Sequence, residues 1–331
     1  MKIAVFSAQP YDRRFLDAEG DKDGAAELLY FTEALSSRST VLAQGCEAVC
    51  VFVNDVLDAP VLESLVQLGV RAVLLRCAGF NNLDIAAAAR LGLFVARVPA
   101  YSPEAVAEHT LALILTLNRN THRAHARIRD GNFALDGLLG SNLHGKTVGV
   151  VGLGKIGMAA VRIFKGFGCL VVGSDPAPPP EFSAMGELVP LQALLAQADI
   201  VSLHCPLMQA THHMIDAKAL SAMKPGAMLV NTSRGALIDT GAVIDALKSR
   251  QLGALAIDVY EQESELFFHD HSADIINDDV FQRLLTFPNV LVTGHQGFFT
   301  VEAMREIAQV TFNNLACHVN ATPCANAVPG T

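Results

Sequence analysis

Ten short runs of apolar residues, separated by segments with a helical pattern, constrain the fold of this chain more than any other feature. Most of them are continuously apolar and not alternating, which is typical of strands that are covered on both faces in a parallel sheet. Strands that alternate with helices indicate βαβ units and a doubly wound α/β architecture. The runs are Lys2–Ser7, Ala48–Asn54, Ala72–Cys77, Phe94–Val98, Thr147–Gly152, Leu170–Asp175, Ile200–Cys205, Met228–Thr232, Ala254–Val259 and Val290–Gly294.

The size and composition of the chain argue against several classes of protein. Its 331 residues suggest two domains, at the usual size of roughly 150 residues each. No run of about 20 apolar residues occurs, so we expect no membrane span. The net charge of -9 argues against a nucleic-acid partner.

The seven cysteines lack the spacing of a zinc knuckle, so we expect reduced thiols and no metal site. The N-terminal sequence MKIAVFSAQP indicates a first strand and not a signal peptide, which favours a cytoplasmic location.

The order of the runs predicts two sheets, each in its own domain. The first four runs end near Pro99, and an apolar helix can then begin at Pro103 and continue to about Asn118. We expect the helical pattern over Val301–Val319 to return to the first domain. The expected fold is therefore a Rossmann nucleotide-binding domain inserted into a flavodoxin-like catalytic domain. The expected boundaries are 101–298 for the Rossmann domain, and 1–100 with 299–331 for the catalytic domain.

A glycine fingerprint in the middle of the chain predicts dinucleotide binding. A strand-like run leads directly into Gly152-Leu153-Gly154-Lys155-Ile156-Gly157, and a helical pattern follows. The first glycine permits a tight turn, the second lets a pyrophosphate approach the backbone, and the third allows the helix to pack closely on the strand. The N-terminus of the helix then offers free N–H groups to the phosphates.

The next strand supplies the acid that this fingerprint requires. It ends in Asp175, at about the expected 20 residues beyond the glycines, where a carboxylate binds the ribose hydroxyls. The carboxylate disfavours a 2′-phosphate, and Pro176 follows it where an arginine would be needed to bind one. The sequence therefore predicts NAD as the cofactor and not NADP.

Three later strand-like runs lead into polar segments that contain Arg234, Glu263 and His295, which together suit the reduction of a 2-oxo acid. Ligands of open α/β sheets bind beyond the carboxyl ends of the strands. A guanidinium can hold a carboxylate through two parallel hydrogen bonds. An imidazolium can protonate the alkoxide that hydride attack creates, and a carboxylate can orient and stabilise that imidazolium. We therefore expect Arg234 to bind the substrate, His295 to act as the acid–base and Glu263 to support it.

Over essentially its whole length the chain resembles the D-2-hydroxyacid dehydrogenases, which carry the glycine motif, the acid and then Arg, Glu and His in this order. The resemblance implies a cofactor site that includes the backbone of Lys155 and Ile156, a loop with Cys205, Pro206 and Thr211, and the residues Thr232, Ser233, Arg234 and Asp258. It also implies a substrate site formed by Ala78, Gly79, Tyr101, Arg234, His295 and Phe298.

Within that family the chain looks most similar to the bacterial fermentative D-lactate branch. Glu263 is followed by Ser264 where other branches usually have proline, and GHQGF surrounds His295. Phe52 would add an apolar wall that suits a methyl group. The resemblance implies reduction of pyruvate with NADH by a homodimer or homotetramer, with the helix after Pro103 as a candidate interface. The alternatives are an enzyme for a larger 2-oxo acid, such as phenylpyruvate, and a non-catalytic regulator that binds NAD. Formate dehydrogenase is disfavoured, because those enzymes usually have glutamine at the position of Glu263.

Overall fold

The computed structural model describes residues 1–20, 26–263 and 266–331, and the chain divides into two compact units. The first unit comprises Met1–Ser102 and Phe299–Thr331, and the second comprises Pro103–Phe298. Ser264, which follows Glu263 in the sequence, lies outside the described residues. In the described ranges, none of the helices combines the length and the apolar character that crossing a bilayer requires.

The first unit is built on a five-stranded sheet in which every pair of neighbours is parallel. The strand order is β2-β1-β3-β4-β5, which is the flavodoxin-like order. Its strands are β1 Lys2–Val5, β2 Glu27–Tyr30, β3 Ala48–Val51, β4 Ala72–Leu75 and β5 Phe94–Arg97. Its helices are α1 Pro10–Gly20, α2 Ala59–Gln67, α3 Ile85–Leu91 and α11 Val301–Val319.

Both faces of this sheet are covered, which explains the continuous apolar runs. Successive residues of β3 alternate between two cores: Val49 and Val51 pack with α2 and α3, while Ala48 and Cys50 pack with α1 and α11. A strand with solvent on one face would show polar residues at alternate positions. The helices begin at side-chain caps such as Asp58, whose carboxylate accepts from the Val61 N–H at 3.0 Å.

The second unit is built on a seven-stranded parallel sheet of order β12-β11-β10-β9-β6-β7-β8. Counted from β6, six of the strands read 3-2-1-4-5-6, the Rossmann order, and β12 extends the sheet at one edge. The strands are β6 Thr147–Val151, β7 Leu170–Ser174, β8 Glu187–Leu188, β9 Ile200–Leu203, β10 Ala227–Asn231, β11 Leu252–Ile257 and β12 Val290–Val292. The helices are α4 Pro103–Asn118, α5 Thr121–Arg129, α6 Lys155–Gly166, α7 Leu191–Gln197, α8 Ala217–Ala222, α9 Thr240–Lys248 and α10 Asp279–Leu285.

All ten runs form strands, and the expected pair of doubly wound parallel sheets is confirmed. Two further strands, β2 and β8, lie at sheet edges and were not predicted. In the second unit, Val148 and Val150 of β6 pack beneath α4 and α6, whereas Val201 and Leu203 of β9 face the core on the other side of the sheet. Because the strands are parallel, their carboxyl ends all lie at the same end of the sheet. These strands include β6, β7, β9, β10, β11 and β12.

Candidate active site

The glycine loop joins β6 to α6, and its three glycines have different surroundings. Gly152 has a φ of +91°, and a Cβ there would lie 2.6 Å from the Cys205 nitrogen. A Cβ at Gly157 would lie 2.0 Å from the Gly152 carbonyl oxygen, so only glycine lets the helix start this close to the strand. A Cβ at Gly154 would meet no described atom within 4 Å. The loop is therefore packed beneath Gly152 and Gly157 and open above Gly154.

The start of α6 provides the donors that a pyrophosphate needs. The N-cap residue is Gly154, which has no side chain to accept a hydrogen bond from the first N–H groups. The first hydrogen bond of the helix is from the Met158 N–H to the Gly154 carbonyl at 2.9 Å. The N–H groups of Lys155, Ile156 and Gly157 precede that bond and have no acceptor within the helix. Free N–H groups at the positive end of a helix dipole form an anion site.

Asp175 at the end of β7 lies against this loop. One carboxylate oxygen accepts from the Leu153 N–H at 2.6 Å, and the other accepts from the Ala177 N–H at 2.7 Å. Beside them is a cavity of about 460 Å³, lined in part by Gly154, Lys155, Asp175 and Ala177. The open glycine, the unused N–H groups and the carboxylate at the next strand end fit the phosphates and the ribose of a dinucleotide.

The loop after β9 contains three further residues of the expected cofactor site. The Thr211 hydroxyl donates to the Pro206 carbonyl at 2.7 Å and accepts from the Met208 N–H at 2.8 Å, so it closes the loop on itself. Cys205 is buried, and its carbonyl accepts from the Ser233 hydroxyl at 2.7 Å. Burial raises the pKa of the Cys205 thiol to about 11, so this sulfur stays protonated and unreactive near neutral pH.

The turn that carries Arg234 is shaped by a buried asparagine. The Asn231 side chain donates to the Arg234 carbonyl at 2.8 Å and accepts from the Ser233 N–H at 3.0 Å. Thr232 is buried beneath the turn, 2.8 Å from the Thr110 hydroxyl of α4. The Arg234 guanidinium donates to the Ser233 carbonyl at 2.7 Å. Among the described residues it has no carboxylate partner, which leaves donors available for an anionic ligand.

Backbone hydrogen bonds link the ends of β10, β11 and β12 in series. The Asp258 N–H donates to the Asn231 carbonyl at 3.0 Å, and the His295 N–H donates to the Asp258 carbonyl at 2.7 Å. A Cβ at Gly235 would lie 2.1 Å from the Tyr260 carbonyl carbon, so the Arg234 turn packs directly on the segment after β11. The turns that carry Arg234, Glu263 and His295 are therefore close together at the carboxyl ends of these strands.

Glu263 and His295 form a hydrogen-bonded pair. Nδ1 of His295 lies 2.9 Å from Oε1 of Glu263, and Oε2 of Glu263 accepts from the Tyr260 N–H at 3.0 Å. Because the carboxylate can only accept, the ring places its Nδ1 proton toward it. The rings of Phe268 and Phe298 flank the imidazole at centroid distances of 5.8 Å and 6.4 Å. Within the described residues Nε2 makes no hydrogen bond, so it is the nitrogen that can exchange a proton with a ligand.

Asp258 braces the loop that carries His295. Its buried carboxylate accepts from the Gln296 N–H at 2.9 Å, from the Gly297 N–H at 2.8 Å and from the Thr293 hydroxyl, and it lies 3.2 Å from Nε2 of His109. Burial alone would raise the pKa of Asp258, but the hydrogen bonds from His109 and Thr293 outweigh it and hold the pKa below its ordinary value. The carboxylate therefore remains ionised.

Sequence reasoning missed three residues that support this site: Asn231, His109 and Thr293. Each is a polar residue buried or half-buried among apolar neighbours, and each hydrogen-bonds a turn at the sheet edge. Asn231 directly precedes the predicted Thr232 and could have been noticed as a polar residue at the end of an apolar run. His109 in α4 gives no such signal, since its partners are more than a hundred positions away in the sequence.

The remaining expected substrate residues, Ala78, Gly79 and Tyr101, belong to the first unit. The Ala78 carbonyl accepts from the Arg97 guanidinium at 2.6 Å, and the Gly79 carbonyl accepts from the Cys77 thiol at 3.3 Å. These bonds hold the carbonyls, whereas the N–H groups of Ala78 and Gly79 have no acceptor among the described residues. Such N–H groups can bind a carboxylate.

The two adjacent phenylalanines after Gly297 differ in their surroundings. Phe298 is 7% exposed and lies beside the His295 ring, whereas Phe299 is 49% exposed and packs edge-on against Tyr11 at 4.6 Å. Phe298 is therefore the ring next to the acid–base candidate. Gly297 makes this possible, because a Cβ there would lie 3.0 Å from the Asp258 carboxylate.

Comparisons with known proteins agree with this geometry. The family model described as "D-isomer specific 2-hydroxyacid dehydrogenase, NAD binding domain" matches residues 111–297. A relative from Aspergillus oryzae, 2-hydroxyacid dehydrogenase A, is 59% identical over 330 residues, which is 99% of this chain and 95% of the relative.

Two solved structures are similar over almost the whole chain. The apo-structure of D-lactate dehydrogenase from Escherichia coli has a TM-score of 0.91 at 48% identity and covers 99% of this chain and 100% of its own. The pyruvate reductase of Chlamydomonas reinhardtii has a TM-score of 0.93 at 43% identity and covers 98% of each chain. The matched NAD-binding region contains the glycine loop, Asp175 and the three strand ends. The chain therefore belongs to the D-isomer-specific 2-hydroxyacid dehydrogenases and is an NAD-dependent oxidoreductase.

Proposed function

We propose that this enzyme is a D-lactate dehydrogenase that reduces pyruvate to D-lactate with NADH. The observation that carries the proposal is the pair formed by His295 and Glu263, in a turn that is hydrogen-bonded in series with the turn of Arg234. This combination supplies a proton donor after β12 and a carboxylate-binding cation after β10, with only β11 between these two strands. The similarity to a D-lactate dehydrogenase and to a pyruvate reductase supports the same substrate.

In the proposed reaction each residue has a separate task. The Arg234 guanidinium binds the substrate carboxylate and polarises the 2-oxo group. NADH, when bound, supplies the hydride that adds to the carbonyl carbon. His295 then gives its Nε2 proton to the developing alkoxide oxygen, so that a hydride and a proton together convert the ketone to the hydroxyl group. Glu263 holds Nδ1 and stabilises the imidazolium before the transfer.

We place the cofactor at the loop of Gly152, Gly154 and Gly157, whose helix would bind the pyrophosphate through the N–H groups of Lys155 and Ile156. Asp175 would bind the ribose hydroxyls, and its charge favours NAD over NADP. The other proposed cofactor contacts are Cys205, Pro206, Thr211, Thr232, Ser233, Arg234 and Asp258. Thr211, Thr232 and Asp258 also hold their own turns in place, as their hydrogen bonds indicate.

We propose that the N–H groups of Ala78 and Gly79 bind the substrate carboxylate, as Arg234 does, and that Tyr101 and Phe298 contact the substrate. The ring of Phe298 lies beside His295. Phe52, which has the Arg76 guanidinium over its ring at 5.1 Å, would supply an apolar wall that suits a small methyl group. These aromatic residues favour pyruvate over a bulkier 2-oxo acid.

We also propose that the enzyme is a homodimer or homotetramer in the cytoplasm. The helix α4 buries one face within its own unit, with Leu113, Ile114 and Leu117 in the core, whereas Glu104, Glu108 and Ala112 are exposed, so it stays a candidate for the subunit interface. The residues Phe133 and Leu139 are 73% and 95% exposed and are further candidates for burial by a second copy. Light scattering on the purified protein measures the subunit number directly.

The experiment that tests the function is NADH oxidation, followed by the loss of the reduced nicotinamide absorbance. Pyruvate and phenylpyruvate are compared, with a reaction that lacks substrate as the control. We expect fast turnover of pyruvate and a product that a D-specific but not an L-specific lactate assay consumes. If only phenylpyruvate is turned over, the proposed mechanism would stand but the substrate would be a larger 2-oxo acid. Binding of NADH without turnover of either acid would contradict the proposal and favour a regulatory protein.

A further inference from the structure

Two adjacent histidines and a glutamate come together outside the proposed catalytic residues. The side chains of His212, His213 and Glu261 each place a ligand atom within 4.8 Å of the other two. Nε2 of His213 lies 2.7 Å from Oε1 of Glu261, and the rings of His212 and His213 stack at a centroid distance of 4.0 Å. The sequence gives no sign of this cluster, because Glu261 follows His213 by 48 positions.

The backbone on both sides of the cluster is anchored. His213 has a φ of 50°, and its N–H donates to the Ala236 carbonyl at 2.8 Å. The loop that leads to the histidines is closed by Thr211. On the other side, Tyr260, which directly precedes Glu261, packs against Gly235 and leaves no room for a Cβ there. The three ligand atoms are therefore held close together by two fixed segments, and a bound ion would need little reorganisation of the backbone.

The donor set selects one class of ligand. Two imidazole nitrogens and one carboxylate oxygen suit Zn²⁺, Co²⁺ and similar ions, whereas Mg²⁺ and Ca²⁺ prefer oxygen ligands. His212 and Glu261 are exposed and His213 is half-buried, so an ion could enter from solvent. We propose that His212, His213 and Glu261 form a binding site for a divalent transition-metal ion, with water completing its coordination.

A metal ion at this position would join two segments that flank the proposed active site. The histidines continue the loop that contains Cys205, Pro206 and Thr211, and Glu261 lies two residues before Glu263. The ion would therefore link the proposed cofactor loop to the segment that supports His295. The metal site itself stands on the contacts of the three residues and does not depend on the proposed substrate.

The test is a metal titration of the tag-free, chelator-treated protein. Zn²⁺ is followed by calorimetry, and Co²⁺ is followed by its visible d–d absorption, which reports the ligand geometry. We expect one ion per chain for the wild type. His212→Ala and Glu261→Gln should each weaken binding by roughly tenfold or more, because the loss of even an outer-shell partner costs 10–100-fold. His125→Ala, which removes an exposed histidine of α5, is the matched control and should bind like the wild type.

Thermal unfolding provides a second readout. Zn²⁺ should raise the unfolding temperature of the wild type and of His125→Ala, since an ion that binds only the folded state stabilises it. The same addition should leave the unfolding temperatures of His212→Ala and Glu261→Gln unchanged. Without metal, both variants should unfold at the same temperature as the wild type. The proposal is overturned if the wild type shows no saturable binding, or if the two variants bind the ion as tightly as the wild type does.

Discussion

Nδ1 of His295 lies 2.9 Å from Oε1 of Glu263, and the two side chains are 15% and 16% exposed. The half-buried carboxylate fixes the tautomer of the ring, because it can only accept a hydrogen bond. Nε2 is therefore left to transfer a proton. The Tyr260 N–H holds the second oxygen of the same carboxylate at 3.0 Å, so the carboxylate is itself oriented by the backbone.

Replacing His295 by alanine should remove the proton donor and leave the cofactor loop intact. We expect kcat for pyruvate reduction to fall by about 10²–10⁴-fold, the usual contribution of a general acid. NADH binding, measured by fluorescence titration, should remain close to that of the wild type, since the glycine loop and Asp175 are untouched. Wild-type turnover in this variant would exclude His295 as the acid–base.

Replacing Glu263 by glutamine keeps the size of the side chain and removes its charge. The imidazolium then loses a charge-assisted hydrogen bond, worth about 1.5–3 kcal/mol, so we expect a loss of about 10–100-fold in kcat. Steady-state kinetics with pyruvate measure the effect. A kcat equal to that of the wild type would show that Glu263 does not stabilise the charged ring.

Replacing Arg234 by lysine preserves the charge and removes the planar pair of donors. An ammonium group cannot make the two parallel hydrogen bonds to a carboxylate. We expect kcat/KM for pyruvate to fall by about 10–100-fold, which corresponds to the loss of one hydrogen bond to a charged group. Steady-state kinetics with pyruvate, compared with NADH affinity as the control, separates substrate binding from cofactor binding. Unchanged kcat and KM would remove Arg234 from the substrate site.

Asp175 requires a substitution that keeps at least one of its structural hydrogen bonds. Its two oxygens accept from the N–H groups of Leu153 and Ala177, so alanine would loosen the loop as well as remove the charge. Asparagine keeps one acceptor and is neutral. We expect Asp175→Asn to narrow the preference for NADH over NADPH, measured as the ratio of their kcat/KM values. If that ratio stays the same, another group must exclude the 2′-phosphate.

Asp258 makes stability depend on pH in a defined direction. The folded protein holds the pKa of Asp258 below its ordinary value, whereas the unfolded chain has the ordinary value of about 3.9. The ionised carboxylate therefore stabilises the fold above about pH 4, and this contribution is lost as the pH falls through the lower folded value. Asp258→Asn should lower the free energy of unfolding by about 1–3 kcal/mol near neutral pH, because it turns an amide donor toward N–H groups.

Urea unfolding of the wild type and of Asp258→Asn at several pH values checks this expectation. The difference between the two proteins should be constant from pH 5 to 7 and should shrink toward pH 3, since the wild-type carboxylate then becomes protonated. Asp245→Asn is a suitable control, because Asp245 is exposed and pairs only with Lys248 on the same helix. A difference that grows as the pH falls would contradict the assignment.

Of the twelve strands in the described residues, ten could be predicted because each forms an apolar run, and these include β5 and β12 at one edge of each sheet. The strands β2 and β8 at the opposite edges could not, since β8 has only two residues and both strands begin with an exposed glutamate. Residues 187 and 188 of β8 are both exposed, and β2 is exposed or half-buried throughout. Their pairing depends on the neighbouring strand, and no local pattern specifies it.

Some residues of the candidate site could likewise be predicted from the sequence and others could not. Arg234, Glu263 and His295 could be proposed because each lies in a polar segment that follows an apolar run and has a recognisable chemistry. His109 and Thr293 could not, because their role is to hydrogen-bond a carboxylate that only the folded chain brings near them. For the same reason, the sequence did not predict that His213 lies close to Glu261. Sequence patterns identify strand ends, but contacts between two such ends require the sheet order.

The backbone of His295 has a φ of 52°, in the left-handed region that non-glycine residues adopt at a cost of about 1–3 kcal/mol. The chain tolerates this because Asp258 fixes the turn on both sides of the ring. Glycine would relieve this backbone strain, but it would lose the hydrogen bond to Glu263 and the contacts of the ring with Phe268 and Phe298. The strained backbone is thus retained together with the side chain that the proposed proton transfer needs.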